Sequence, residues 1–493
     1  MKKIWLFALL LISAMSDAQQ WRWDSLITAT DPYKLEKNLQ DEVLAFEYKA
    51  TVVKKFDANG KFLWAKNING NICNLTCDAA GNIFMTGIFT GSMTEGNQTF
   101  NGRGDDDIFL LKMDQAGNVQ WLKQVASKGK DRAGDVAVAG STIYLTGGTP
   151  DSTWFSQTLV AKESYLDMFI ASYDANGDPV NIKFAVQDQP SVYNGSIGQE
   201  IKISPVGGIM LMASVVGNTK WDATTISGGL SYDLIKLDNS FSLQWYEEAS
   251  NGMGTGAGEL CVGPTGISYF LASLAAHYVE QGFIKSISAD GSQVQTLFTE
   301  NMGFIYGLDL DAAGNIFFTG MRDRDVNNTP EEFFLKTGKI SPAGILAWMV
   351  QDSSTHPRAG LSIVVLQNGN CFINGTFHDR ITLKDTLYGS AQSNSYFLAL
   401  LDENAATSTH ELQSSANDLA LIPNPSHGKF FALLPGNETE SRICVHDVNG
   451  KCIYDTIVKE KTMFLDLGNQ AKGVFLVEVI CGNKMITKKI IVE

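Results

Sequence analysis

The stretch "DIFLLKMDQAGNVQW", residues 107–121, joins a nearly continuous apolar run to a short polar turn and a second run that ends in tryptophan. Variants of it return along the chain as "VVKKFDANGKFLWAK" (52–66), "FIASYDANGDPVNIK" (169–183), "LIKLDNSFSLQWYEE" (234–248), "FIKSISADGSQVQTL" (283–297) and "FLKTGKISPAGILAWMV" (334–350), with a half copy in "YFLALLDENA" (396–405). A second phrase alternates with the first: "CDAAGNIFMTG" (77–87), "VAGSTIYLTG" (138–147), "SPVGGIMLMAS" (204–214), "VGPTGISYFLAS" (262–273), "DAAGNIFFTG" (311–320) and "LQNGNCFINGTF" (366–377). Each phrase sets a turn between two apolar runs, which is hairpin chemistry. Asp or Asn can bond the backbone of its own turn, and Gly supplies the positive φ that other residues resist.

Two hairpins per unit give four short strands per unit, and units at a period of about 40 to 60 residues predict a β-propeller, in which radial packing buries both faces of every sheet. Trp64, Trp121, Trp245 and Trp348, at the ends of the phrase, are then expected between neighbouring sheets. The last unit ends at "YFLALLDEN" without a Trp strand, while "QQWRWDSL" (19–26) is a Trp strand with no unit before it. Pairing the two completes one unit and removes two exposed strand edges. Counted this way, the expectation is seven blades over residues 19–402, the first degenerate around 41–56.

In phrases such as "DAAGNIFFTG" and "DIFLLKMDQAGNVQW", residues 19–402 resemble the bacterial SBBP-type propeller repeats. The quinoprotein-like repeat also carries Asp, Gly and Trp near a hairpin, and would imply a dehydrogenase or an assembly scaffold. Against its enzymatic form, no dense set of cofactor-stacking tryptophans and no quinone or metal cluster stands in the sequence.

The N-terminus, "MKKIWLFALLLISAMSDAQQ", has two lysines, an apolar run over Ile4–Met15, and small residues Ser16 and Ala18 ahead of Gln19. This is the pattern of a secretory signal peptide over residues 1–18, cleaved between Ala18 and Gln19. The run is shorter than the roughly 18 apolar residues that span a bilayer, and no membrane span is expected in the mature protein. The seven cysteines are too few for a disulfide scaffold. Cys73 and Cys77, four apart in "CNLTC" and on one side of an extended strand, suit neither a disulfide nor a zinc site and are expected as structural thiols.

Residues 403–420, "ENAATSTHELQSSANDLA" from Glu403, read as a polar linker. Residues 421–493 follow as a small domain whose short alternating strands suggest an immunoglobulin-like β-sandwich, with Asn449-Gly450 favouring a two-residue hairpin. In this domain Pro423-Asn424-Pro425, Gly428, "ICVHDVNGKCIY" with Asp447, Gly450 and Lys451, "KGVFLVEV" with Gly473 and Phe475, and a terminal "KKIIV" with Lys488 and Lys489 resemble the type A C-terminal sorting domain of the type IX secretion system. Phe475 stands where the family often has Tyr. The resemblance implies recognition by the type IX machinery and its sortase, export across the outer membrane of a Bacteroidota-type cell, removal of the domain, and a secreted or surface-attached product.

The formal net charge of −15 repels phosphate backbones and speaks against a nucleic-acid partner. Residues 421–493 hold nine Lys or Arg against eight Asp or Glu, near +1, so the acidity belongs to the repeats, about −16. Such a surface could hold calcium or a basic partner, although solubility is the commoner reason for it. Other candidates read as loops: "RGD" at Arg103–Asp105, the run Asp105-Asp106-Asp107, "RDRDVNNTPEE" (322–332), which lacks the EF-hand glycine and final glutamate, and "GMGTGAG" (252–258), which no helix pattern follows. No His-Glu-x-x-His or Gly-x-Ser-x-Gly is present, and His277, His356 and His378 are scattered. The expectation is a non-enzymatic, secreted binding or structural protein without cofactor, metal or catalytic residues, its glycan or protein ligand unidentified. A glycan-degrading hydrolase using carboxylates that meet only in the fold is the alternative.

Overall fold

The structure is a computed structural model that describes residues 20–492 apart from 28–32, 48–49, 163–164, 188–193, 252–255, 277–278, 299–303, 322–334, 352–357, 378–379, 384–385, 390–394, 404–418, 423–425, 427, 435–440, 448–449, 460–461, 468–471 and 482–483. The signal segment, most of the linker, the three histidines and the 322–332 acidic run therefore lie outside the described residues. The chain divides into a unit spanning Gln20–Glu403 and a second that contains the C-terminal domain.

The larger unit repeats one antiparallel motif. Sheet 1 holds Tyr33–Lys37, Val43–Glu47, Val52–Phe56 and Phe62–Asn67, in that order, and sheet 2 holds Asn71–Cys77, Ile83–Phe89, Asp107–Met113 and Val119–Ala126. Sheet 3 is formed by Arg132–Ala139, Thr142–Thr149, Asp167–Tyr173 and Pro179–Phe184, and sheet 4 by Gly195–Ile203, Ile209–Trp221, Thr224–Leu237 and Leu243–Asn251. Sheet 5 comprises Gly256–Val262, Ser268–Ala276, Val279–Ile287 and Val294–Phe298, and sheet 6 Phe304–Leu310, Ile316–Met321, Leu335–Ile340 and Leu346–Gln351. In sheet 7, Arg358–Val365, Cys371–Phe377 and Ser395–Asp402 are completed by Gln20–Ile27 from the other end of the chain. The register of that closing pair runs from Gln20 opposite Asp402 to Ile27 opposite Tyr396. The orphan Trp strand of the sequence thus completes the unit that lacked one. Sheet 1, expected to be degenerate, has its full four strands, because "YKLEK" (33–37) is a strand despite its charges.

The first strand of each sheet lies against the first strand of the next, from sheet 1 through sheet 7 and back to sheet 1, so these strands ring a central channel. Apolar residues on both faces of the sheets account for this arrangement. In "DIFLLKM", Phe109, Leu111 and Met113 pack with Leu44, Phe46 and Val53 of sheet 1, whereas Ile108 and Leu110 pack with Val136, Leu145 and Phe169 of sheet 3. A strand buried on both faces reads as an apolar run instead of an alternation, which is why the phrase looks as it does.

The turns explain the rest of the phrase. At Asp57, Asp78, Asp114, Asp174 and Asp311 the backbone N–H donates to the carbonyl four residues on, and the N–H of the glycine at the fourth turn position donates back to the Asp carbonyl. The Asp side chain accepts the N–H groups two and four residues ahead, at 2.8–3.0 Å. Gly60, Gly81, Gly117, Gly177 and Gly314 take φ of 76–84° there. This is a three-residue loop, a type I turn ending in a left-handed bulge residue.

The tryptophan seats on the turn of the following sheet. A Cβ added to Gly117 would meet Trp64 at 3.6 Å, one on Gly177 would meet Trp121 at 3.1 Å, and one on Gly291 would meet Trp245 at 2.6 Å. The indole N–H of Trp121 also donates to Ala175 O at 3.1 Å. Sheet 3 carries Asn181 at the Trp position, and the next turn compensates: Phe241, with φ 66°, stands where the others have glycine. Phe241 is fully buried, edge-on to Tyr144, and its carbonyl accepts the Trp221 indole N–H and Lys183 Nζ, each at 2.9 Å. An aromatic from the turn fills the space that the missing tryptophan leaves.

Removing one seated indole tests the contact. Trp121→Ala deletes a side chain only 8% exposed, and its unfolding free energy in urea is expected to fall by about 3 to 5 kcal/mol. A loss below about 1 kcal/mol would mean that the indole lies on the surface of the seam without holding it.

In the terminal domain, the sheet Ala420–Ile422, Lys429–Leu433, Thr462–Asp466 and the sheet Cys452–Val458, Ser441–His446, Gly473–Cys481, Lys484–Val492 enclose one core of Phe430, Ile443, Val445, Leu465, Phe475, Val477, Val479 and Ile490. This is a β-sandwich. The hairpin around Gly450 is not the two-residue type expected: Asp447 N donates to Lys451 O at 3.0 Å, three residues lie between them, and Gly450 has φ 80°. Asp447 Oδ1 accepts the Lys451 N–H at 2.9 Å, so the same carboxylate-capped turn serves both units.

Candidate functional site

The sequence-derived sorting residues fall in several parts of the sandwich. Gly428 is buried and accepts the Leu467 N–H at 2.5 Å, Phe475 lies in the core, and Gly473 opens the strand paired with the terminal one. Lys488 and Lys489 pair opposite Val477 and Leu476, Lys489 being exposed. Pro423, Asn424, Pro425, Ala18 and Gln19 lie outside the described residues.

The tempting surface motifs resolve into local structure. Arg103 of "RGD" stacks its guanidinium 4.6 Å from the Trp154 ring and donates its backbone N–H to Asp107 Oδ2 at 2.7 Å. Asp106 pairs with Lys130 at 2.9 Å. Gly256–Val262, at the end of "GMGTGAG", is a strand. Among the described residues no three His, Cys, Asp or Glu side chains gather as a metal ligand set. Cys73 and Cys77 are not joined in a disulfide, and the register shift between Ile72 and Asn74 inserts a bulge at Cys73 that breaks the alternation expected to place both on one side.

The chemistry the sequence did not disclose lies on the channel wall. Every first strand except that of sheet 1 carries a register shift, at Ile72/Asn74, Ala133/Val136, Gly198/Glu200, Gly258/Leu260, Ile305/Gly307 and Gly360/Ser362. Bulges re-aim side chains and leave edge N–H groups without ladder partners. Carboxylates from one strand then reach the next. Asp135 accepts Ile201 N at 3.0 Å, Glu200 accepts Glu259 N at 3.0 Å and Leu260 N at 2.6 Å, and Asp309 accepts Val365 N at 2.7 Å. Ser362 Oγ accepts Leu35 N at 3.1 Å across the closing seam.

Three lysines share this wall. Lys37 Nζ lies 2.5 Å from Asp309 Oδ2 and donates to Val365 O, and Lys202 Nζ lies 3.6 Å from Asp135. Burial lowers the Lys34 and Lys202 ammoniums, but the surrounding carboxylates prevail and raise both. Burial likewise pushes the Glu36 carboxyl up to about 7, against the opposing pull of Lys202. Glu259 rises through burial and the neighbouring Glu200, and Asp135 rises through burial despite Lys202. Acids and bases thus shift upward for different reasons: burial raises the carboxyls first, with neighbouring carboxylates adding to it, whereas for Lys34 and Lys202 those same carboxylates overcome burial.

Glu36, Lys37, Lys202, Glu259, Cys261 and Asp309 line a cavity of about 470 Å³, with Leu35, Leu260, Leu308 and Val364 among its apolar neighbours. It reaches the short turns that follow the first strands, at Asn38, Pro264, Asp311 and Gln367. Ligand pockets commonly fall in this range of volume. The available signal in the sequence was the charged alternation of "YKLEK", "GQEIKI", "GELCV" and "GLDL" ahead of each polar turn.

Residues 420–493 match the family model described as a secretion system C-terminal sorting domain. No curated protein matches the chain. Among solved structures the chain is similar to a streptogramin B lyase at 11% identity, over 78% of this chain and 100% of that one, with a TM-score of 0.43. It is similar to an inactive virginiamycin B lyase variant from Staphylococcus aureus with quinupristin at 11% identity, over 76% and 98%, with a TM-score of 0.43. A calcium-binding regucalcin from Agrobacterium tumefaciens is similar at 9% identity, over 78% and 95%, with a TM-score of 0.34. The sorting domain is handled by the type IX secretion machinery of Bacteroidota and sends the protein to the cell surface or outside.

Proposed function

We propose that the chain is a seven-bladed β-propeller of SBBP type that works outside the cell as a non-enzymatic binding module, after the type IX sortase removes its terminal domain. The blade count is supported by the closed succession of first strands from sheet 1 to sheet 7. The binding reading rests on one observation above all: Asp135, Glu200 and Asp309 are committed to backbone N–H groups of the neighbouring strand, where they brace the channel wall, and Asp309 does so while lining the preformed cavity. A carboxylate so engaged is poorly placed to shuttle a proton.

The hydrolase reading has one observation in its favour, the elevated Glu36 and Glu259, since catalytic acids are tuned toward neutral pH in this way. A glycan array and a panel of glycoside substrates, run between pH 5 and 9 on the mature protein, separate the two. Binding without product release is expected. Turnover that disappears in Glu36→Gln or Glu259→Gln would replace the binding module with a hydrolase.

A further inference from the structure

The cavity also indicates what it holds, an inference that rests on the binding reading. Its wall is unbalanced in a specific way. Lys37 and Lys202 face Asp309 and Asp135, and Asp309, Asp135 and Glu200 additionally cap backbone N–H groups. Among the described residues, no hydrogen bond or ion pair engages the side-chain carboxylate of Glu36 or Glu259, and both line the cavity. An anionic ligand would have to detach a lysine from its carboxylate. A cation meets two carboxylates that feel nearby lysines but are held by none of them in a hydrogen bond or ion pair among the described residues.

Leu35, Leu260, Leu308 and Val364 suit a hydrocarbon stem behind a charged head, a part that a bare metal ion does not have. We propose that the cavity binds a primary alkylammonium group, carried by a free diamine or by a lysine side chain, with Glu36 and Glu259 as its anionic partners.

The charged surroundings set the pH dependence. Glu36 faces Lys202 and Asp135 from sheets 4 and 3, Asp309 from sheet 6, Lys37 from its own strand and Cys77 from sheet 2. Glu259 faces Glu200 and Lys202 from sheet 4, Lys34 from sheet 1, Asp135 from sheet 3 and Cys261 from its own strand. Carboxyls raised toward neutrality are largely protonated at pH 6 and must release protons to accept a cation, so affinity falls with acid.

Calorimetric titration of the mature protein with 1,5-diaminopentane and with N-acetyl-lysine amide, at pH 8 and pH 6, tests this. Saturable binding of at least one amine is expected at pH 8, weaker at pH 6 by about tenfold for each carboxyl that must lose its proton. Glu36→Gln and Glu259→Gln should each weaken it, and the double variant should abolish it while retaining the wild-type circular dichroism spectrum. Should the double variant not fold, the pH comparison on the wild-type protein decides alone. No heat from either amine at pH 8, equal affinity at the two pH values, or undiminished binding by a folded double variant overturns the proposal. A glycan-array hit without amine binding would overturn it and leave the binding module intact, whereas glycoside turnover would overturn the module itself.

Discussion

A mature chain without Gln19–Leu26 is expected to lose on the order of 5 kcal/mol or more of unfolding free energy, and to melt or aggregate well below the intact protein. The deletion removes the fourth strand of sheet 7 and leaves the Ser395–Asp402 edge without its partner along the register from Gln20 to Leu26. Phe397, Leu398, Ala399, Leu400 and Leu401, buried in the intact protein, then border an open edge. Because sheet 7 supports sheet 6 through one face and sheet 1 through the other, the damage spreads in both directions. Adding the peptide Gln20–Ile27 back should raise the melting temperature with peptide concentration, as expected of a ligand that binds only the folded form. An unchanged melting curve after the deletion would show that the ring is held without this pairing.

Truncation after Ala420 is expected to have an equally large effect on location: the propeller should accumulate in the periplasm and the extracellular amount should fall to background. Only residues 420–493 match the sorting domain, and they form a sandwich with a core of their own. A foreign domain placed between a signal peptide and this segment should conversely be found outside. Fractionation with immunoblotting measures both, and mass spectrometry of the external form should locate its N-terminus near Gln19 and its C-terminus within residues 403–420. Normal surface levels of the truncated chain would reduce the terminal sandwich to a spacer.

Much of the fold was legible because the repeat advertises its own chemistry. Phe109 and Ile108 sit side by side in the sequence and face opposite neighbours, which a propeller requires of its middle strands. The Asp-x-x-Gly turns and the Trp spacing carried the hairpins. The first strands were harder to read, and for one reason. Tyr33–Lys37, with Lys34, Glu36 and Lys37, looks like a solvated loop by any rule that equates charge with the outside. A channel reverses that rule. The same reversal hid the candidate site, whose acidic and basic residues are far apart in sequence and meet only where the ring closes. At Gly450 the Asn-Gly pair favours a two-residue hairpin, yet the Asp447 carboxylate, four residues before Lys451, closes the longer turn by accepting the Lys451 N–H.

The partnership of Gln20–Ile27 with Ser395–Asp402 also sets a timetable. Gln20–Ile27, which precedes the other propeller strands in chain order, meets its neighbour only after almost every other residue of the propeller has emerged, and pairing across so long a loop carries a large entropic cost and is intrinsically slow. The chain therefore passes through its early life as an unclosed arc with two sticky margins, exposed to whatever escorts it. Once joined, the same strand acts as a latch between the two ends of the propeller sequence: a protease that cuts one outer loop produces two pieces that still clasp each other through sheet 7. A protein built in this way is expected to withstand a single nick without coming apart, its vulnerable period falling before closure.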